Sequence, residues 1–212
     1  MQLRNVLLAT LACTVGAFAQ NPITADSPFQ VSYAANPSAG ESYINIINDG
    51  ANGAVLLGPG LGASAGNICV NVYAFAPDEQ EISCCSCLIT PNSVVNLGVT
   101  ADLTGETLTG VVPTSVVVGL VATLAGATGS GTSCSGSAYT AGHLVNGMIA
   151  YGTTPQPAGN VYNAVEHTFV PATLSAGEYA SIVARCANIV GNGSGFGICN
   201  SCRAGALGAA KQ

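Results

Sequence analysis

Ile68-Cys69-Val70-Asn71-Val72-Tyr73-Ala74-Phe75 is the stretch that decides the fold. It reads as a strand. Its alternation sends Ile68, Val70, Val72 and Ala74 to one face and Cys69, Asn71, Tyr73 and Phe75 to the other. Similar pieces lie on both sides of it. Tyr43 to Asn48 is a strand closed by Asn48-Asp49-Gly50, and Asn52-Gly53 is a second turn signal, across which Ala54 to Leu57 is placed to pair. Gly58-Pro59-Gly60 breaks the chain. Val94 to Val99 and Thr114 to Leu124 read as strands with a polar connection between them. Val116-Val117-Val118 is β-branched and favours a buried central strand. Met148 to Tyr151 is a short strand, Pro155 and Pro157 mark a loop, and Val161 to Val170 is the last long strand. Residues 125–142, rich in Gly, Ser, Ala and Thr around Cys134, read as a surface loop or minimal linker.

The period then changes. Ser175 and Glu178 form a capping-box pair, and Tyr179, Ile182, Val183, Cys186, Ile189 and Val190 recur at helical spacing until Gly191. A helix over 176–190 follows, with Cys186 on its buried stripe. The expected fold is mainly β: a β-sandwich, Ig-like or jelly-roll-like, with one C-terminal helix and a disulfide-linked Gly-rich tail. Parallel α/β is disfavoured, because too few helical stretches alternate with strands.

The N-terminus carries the marks of export. Arg4 precedes an apolar run from Val6 to about Ala17, and Ala17-Phe18-Ala19 is a signal-peptidase site. The run is too short for a membrane anchor. The expected organisation is a cleaved signal at 1–19, an N-terminal arm at 20–41, a β-sandwich at 42–174, and a helix with a Cys-containing tail at 175–212. Cleavage leaves 193 of 212 residues, with Arg185, Arg203 and Lys211 the only basic side chains against 10 acidic ones. Nucleic-acid binding is thereby excluded, since phosphates demand clustered Lys and Arg. Charged residues are 7% of the chain, against about 25% in an ordinary soluble domain. Ser, Thr, Asn and Gly must cover the surface instead, and such a surface repels its own copies weakly. The arm at 20–41 has one alternating piece, Phe29, Val31 and Tyr33. It reads as an edge strand or as an arm that adds to a neighbour's sheet.

Eight cysteines lie beyond the signal: Cys69, Cys84, Cys85, Cys87, Cys134, Cys186, Cys199 and Cys202. An even set in an exported chain reads as a disulfide framework. On a strand, Cys85 and Cys87 share a face while Cys84 faces the other way, so one segment is stapled on two sides. One scheme joins the Cys84–Cys87 cluster to Cys199, Cys202 and Cys69, with Cys134 or Cys186 completing the set. Two other readings compete. Cys-x-Cys with Cys-x-x-Cys has zinc-ligand character, which an oxidising compartment opposes. Cys199-Asn200-Ser201-Cys202 has thiol-oxidoreductase spacing, but it follows a helix in a Gly-rich tail rather than opening one.

Catalytic signals are thin. His143 and His167 are the only histidines, and Glu166 and His167 point to opposite strand faces. Asp78, Glu79 and Glu81 read as a solvated acidic loop, with calcium as the alternative. Asn192-Gly193-Ser194 matches a glycosylation sequon. No cofactor motif is present, no catalytic or metal site is assigned, and the chain is read as non-enzymatic.

Asn71-Val72-Tyr73-Ala74-Phe75-Ala76-Pro77-Asp78-Glu79-Gln80, then Cys84-Cys85-Ser86-Cys87 and Thr90-Pro91-Asn92, resembles a group of exported bacterial proteins whose function is not known. Gly193-Ser194-Gly195-Phe196-Gly197-Ile198-Cys199 with Ser201-Cys202-Arg203 is similar to the same group. The likeness covers most of the mature chain. It implies bacterial export to the cell surface or medium, and that the cysteines act as a set; it brings no activity and no functional residues. The reading that follows is a secreted, disulfide-stabilised structural protein that self-associates into a filament or lattice, with no membrane span after cleavage. An extracellular ligand-binding or adhesive module is the alternative, and a secreted hydrolase the third.

Overall fold

The computed structural model describes residues 27–199 other than 36, 55–64, 127–128, 139–142 and 160, together with residue 202. The expected signal at 1–19, the first part of the expected arm and the expected Ala54–Leu57 pairing lie outside or mostly outside these residues.

The opening stretch is strand β3 (Ile68–Phe75), and its alternation is realised on both faces. Strands β1 (Phe29–Ala35), β4 (Glu81–Ile89), β6 (Ser115–Leu124) and β9 (Val170–Pro171) join it in one antiparallel sheet, ordered β4-β3-β6-β1-β9. Strands β2 (Tyr43–Asn48), β5 (Ser93–Gly98), β7 (Met148–Ala158) and β8 (Val161–Thr168) form the second, ordered β5-β2-β7-β8. Ile68, Val70, Val72 and Ala74 meet Val116, Val118 and Leu120 of β6 and Ile44, Ile46, Met148 and Ala150 of the facing sheet in the main core. Tyr73 points the other way, into a second core with Val121 and helix α1 (Ala176–Gly191). Hence β3 and β6 are buried on both sides, which is why their sequences run almost uninterruptedly apolar. The molecule is a three-layer arrangement of helix, five-stranded sheet and four-stranded sheet.

Helix α1 follows its sequence signals closely. The Ser175 hydroxyl accepts from the Glu178 backbone N–H at 3.1 Å, and Tyr179, Ile182, Val183, Cys186 and Ile189 are buried. Each fully buried apolar side chain of that stripe contributes about 1.5–3 kcal/mol. Val190 departs from the expectation, being 41% exposed. Asn192 caps the end, and Gly193 adopts the left-handed conformation that terminates helices.

Three expectations are corrected. Pro155 and Pro157 are not in a loop but inside β7, which runs on from the expected short strand. β2 ends at Tyr43, opposite Thr153, so beyond that point one edge of β7 has no neighbour in its sheet among the described residues. Two prolines spaced by two turn their N–H-lacking nitrogens to that edge and cost no ladder bond. The run Val161 to Val170 is divided: β8 belongs to one sheet, buried Phe169 is the crossing point, and β9 joins the other. The Val94–Val99 strand stops at Gly98. There a π-helical turn, Val99–Thr104, buries Leu103, and the Glu41 carboxylate accepts from the Thr100 and Ala101 N–H groups at 2.7 and 3.1 Å.

Buried amides join the layers. Gln30 of β1 donates to the Met148 carbonyl of the opposite sheet at 2.7 Å. Asn48 donates to the Gly66 and Ile89 carbonyls, both at 2.9 Å. Such side chains are tolerated inside because their donors are satisfied.

Candidate functional site

The cysteines occupy the third layer and the sheet edge. Cys84 faces the helix and is bonded to Cys186, with Cα atoms 5.7 Å apart. Cys85 and Cys87 point to the opposite face, as alternation requires, and are bonded to Cys199 and Cys202 of the tail. Cys69 is bonded to Cys134, at a Cα separation of 5.5 Å. The expected link between Cys69 and the Cys84–Cys87 cluster is therefore corrected. Cys69 lies opposite Leu88 and shares a sheet face only with Cys84, whose partner on β3 is Tyr73. Four residues of strand separate them, roughly 13 Å, beyond the reach of a disulfide.

Cys134 thus ties the 129–138 segment over the helix-side face of β3, where the Tyr73 hydroxyl also donates to the Gly136 carbonyl at 2.9 Å. The tail shields the β4 edge. The Cys84 N–H donates to the Gly197 carbonyl at 2.8 Å, and Ile198 bridges Cys84 in parallel. Gly197 has φ +73°, and a Cβ there would press on Ile189 and the Ile82 carbonyl at under 3 Å. Only glycine suits this position. The sulfurs of Cys85, Cys87 and Cys202 lie within 4.8 Å of one another, but all belong to disulfides and present no thiolate.

The acidic run divides. Asp78 and Glu79 are exposed in the β3–β4 turn, whereas Glu81 opens β4 with both carboxylate oxygens shielded and accepting no hydrogen bond among the described residues. Its oxygen lies within 4.8 Å of the Cys84 and Cys186 sulfurs. Burial raises the Glu81 carboxyl to about 8, against the pull of the Arg185 cation. The Tyr73 phenol is pushed far above its ordinary value by burial, with Tyr179 and Glu81 adding to the effect. The sequence offered no sign that Glu81 turns inward from its acidic neighbours.

His143 is exposed. His167 reaches across the sandwich, its Nε2 2.9 Å from the Ser32 Oγ of β1, and its ring fills the place where a Cβ on Gly152 would stand. The cleft beside it, walled by Ser42, Tyr43, Thr154 and Phe169, has room for about one water. A Ser–His pair in so small a space joins two sheets rather than admitting a substrate.

Phe29, Val31 and Tyr33 lie in β1, paired along its whole length with β6. The free-arm alternative is corrected for these residues: they are part of this chain's own sheet. β9 covers the other edge of β1 only at Gln30 and Val31, and among the described residues no strand pairs there beyond Val31. On the outer sheet face Phe29 packs against the helix-side core, while Tyr33 is 57%, Val117 42% and Val170 61% exposed. Tyr33 lies opposite Val117, and Val31 opposite Val170, so these side chains are neighbours. An open edge and an apolar patch coincide here. No helix among the described residues is long and apolar enough to cross a membrane. No family model, curated protein or solved structure matches the chain.

Proposed function

We propose that this chain is a secreted, disulfide-stabilised structural protein, a subunit of an extracellular or cell-surface filament or lattice. The observation that carries the proposal is the exposed Tyr33–Val117–Val170 patch beside the uncovered edge of β1. Contiguous exposed apolar side chains mark interaction surfaces, and an uncovered strand edge offers backbone groups for a further strand. Four disulfides support an oxidising destination. The strand pairs β1–β6, β2–β5 and β3–β4 are nested like one long hairpin folded over, which supports a jelly-roll-like rather than an Ig-like layout.

Deleting residues 20–35 would remove a strand that β6 needs, so it tests folding. Tyr33→Lys and Val170→Lys are the cleaner probes, since both side chains face solvent. Electron microscopy and light scattering of the native secreted protein should show ordered particles that the double variant no longer forms. Single particles in both samples would refute the proposal.

A further inference from the structure

The sheet edges of this molecule are treated unequally. The β4 edge is covered by the tail and held there by two disulfides. β7 carries Pro155 and Pro157 where it outruns β2. β5 is six residues long, and its Gly98 N–H is taken by the Asp102 carboxylate at 2.8 Å. β1 is covered in part by β9. Among the described residues β8 has none of these devices. It is an eight-residue edge strand, Val161-Tyr162-Asn163-Ala164-Val165-Glu166-His167-Thr168, without Pro, Lys or Arg. Long open edges template pairing with another chain, and proteins normally blunt them with such features.

The prolines fix which β8 groups are open. Pro155 lies opposite Ala164 and Pro157 opposite Tyr162. Neither proline has an N–H to give, so the β7–β8 ladder runs through the Thr154–Val165 and Gln156–Asn163 pairs. The N–H and C=O groups of Tyr162, Ala164 and Glu166 therefore point to the free edge. Asn163, Ala164, Val165 and Glu166 all have exposed side chains.

We infer that β8 is a two-fold interface: it pairs antiparallel with β8 of a second copy and merges two four-stranded sheets into one continuous sheet. The charge pattern admits a second copy as the occupant. With the two-fold axis at Val165, Glu166 bonds opposite Ala164 of the second copy, so no carboxylate faces its own kind, while two half-exposed valines meet across the axis. A shift that centres the axis on Glu166 puts like charges directly opposite and is disfavoured. The weak self-repulsion of a chain with 7% charged residues permits such an approach. This inference rests on the structural-subunit reading and deepens it: a two-fold contact closes on itself, so the β1 patch is the second surface that propagation requires.

The test uses the secreted, oxidised protein. Val165 would be a non-hydrogen-bonded pair across the axis, with Cα atoms about 4.5 Å apart, within disulfide reach. Val165→Cys should give a covalent dimer on a non-reducing gel, and Asn163→Cys, off the axis, should not. In the Tyr33→Lys, Val170→Lys background, where β8 is the remaining contact, Ala164→Pro removes one edge donor and leaves the β7 ladder intact; light scattering should show the dimer mass halved, with an unchanged circular dichroism spectrum. If Ala164→Pro fails to fold, the cysteine pair decides alone. Dimers that persist when folded Ala164→Pro is placed in the Tyr33→Lys, Val170→Lys background, or a Val165→Cys protein that associates without crosslinking, overturn the β8 interface and leave the structural reading standing. A native protein that is monomeric at every concentration overturns both.

Discussion

Glu81 gives the protein a stability that falls as the medium becomes alkaline. In the unfolded chain its carboxyl ionises near its ordinary value of 4.5; in the folded protein burial holds the proton until about pH 8. Between those values the native state binds more protons than the unfolded state. Stability is therefore full below pH 4.5, declines through the window from 4.5 to 8, and is flat again above it. At about 1.36 kcal/mol per pH unit the ceiling is about 5 kcal/mol. Part of the side chain meets solvent, which screens the cost, so roughly 2 kcal/mol is the working figure. Glu81→Gln keeps the shape of the protonated group and abolishes the titration. Other carboxylates contribute equally to both proteins and cancel in the difference. The two should melt alike at pH 4, and the variant should melt about 4–8 °C higher at pH 8.5, at roughly 2–4 °C per kcal/mol for a domain of this size. The assay is paired calorimetry across pH 4 to 9 with the disulfides intact. Melting curves that stay parallel across the window would show that Glu81 is ionised in the folded protein, and the reasoning would fail.

Gly197→Ala should cost about 1–3 kcal/mol, because the position combines a left-handed backbone with contact against Ile189 and the Ile82 carbonyl; denaturant unfolding measures it, and a change below 0.5 kcal/mol would contradict the packing described. Replacing Cys84 and Cys186 together by alanine removes a crosslink spanning 102 residues and should lower stability by about 2–4 kcal/mol. The same unfolding experiment checks it, with the other three bridges verified by mass spectrometry. Ser175→Ala should cost about 1 kcal/mol through loss of the α1 cap. Gly152→Ala should displace the His167 ring from Ser32, visible as a shifted imidazole resonance, and an unmoved resonance would refute the crowding at that point.

What was legible in advance follows from side-chain direction. The period of two in Ile68 to Phe75 sorted that strand's side chains onto its two faces, and the same rule separated Cys84 from Cys85 and Cys87. The Ser175–Glu178 pair and the 3.6-residue period placed α1 within a residue or two. Proline misled at β7, because a missing N–H is harmful only where a neighbouring strand asks for it, and where β2 ends is not written near Pro155. The run Val161 to Val170 alternates smoothly although the chain changes sheets at Phe169, since alternation reports faces and not which sheet owns them. The patch at Tyr33, Val117 and Val170 joins three distant segments and has no local signature.

By itself, then, the sequence determined the sheet-rich class, the helix, the faces of the strands and the alternation that parts Cys84 from Cys85 and Cys87. Those properties are local, fixed by backbone period and by composition. Only the tertiary structure decided that Cys69 takes Cys134, that Cys84 takes Cys186, that Glu81 shields its carboxylate oxygens while its acidic neighbours are exposed, and that no strand among the described residues pairs with the outer edge of β8. Each depends on register and on which layer covers which, set by contacts between residues up to about a hundred positions apart, where a shift of one residue turns a side chain to the opposite face.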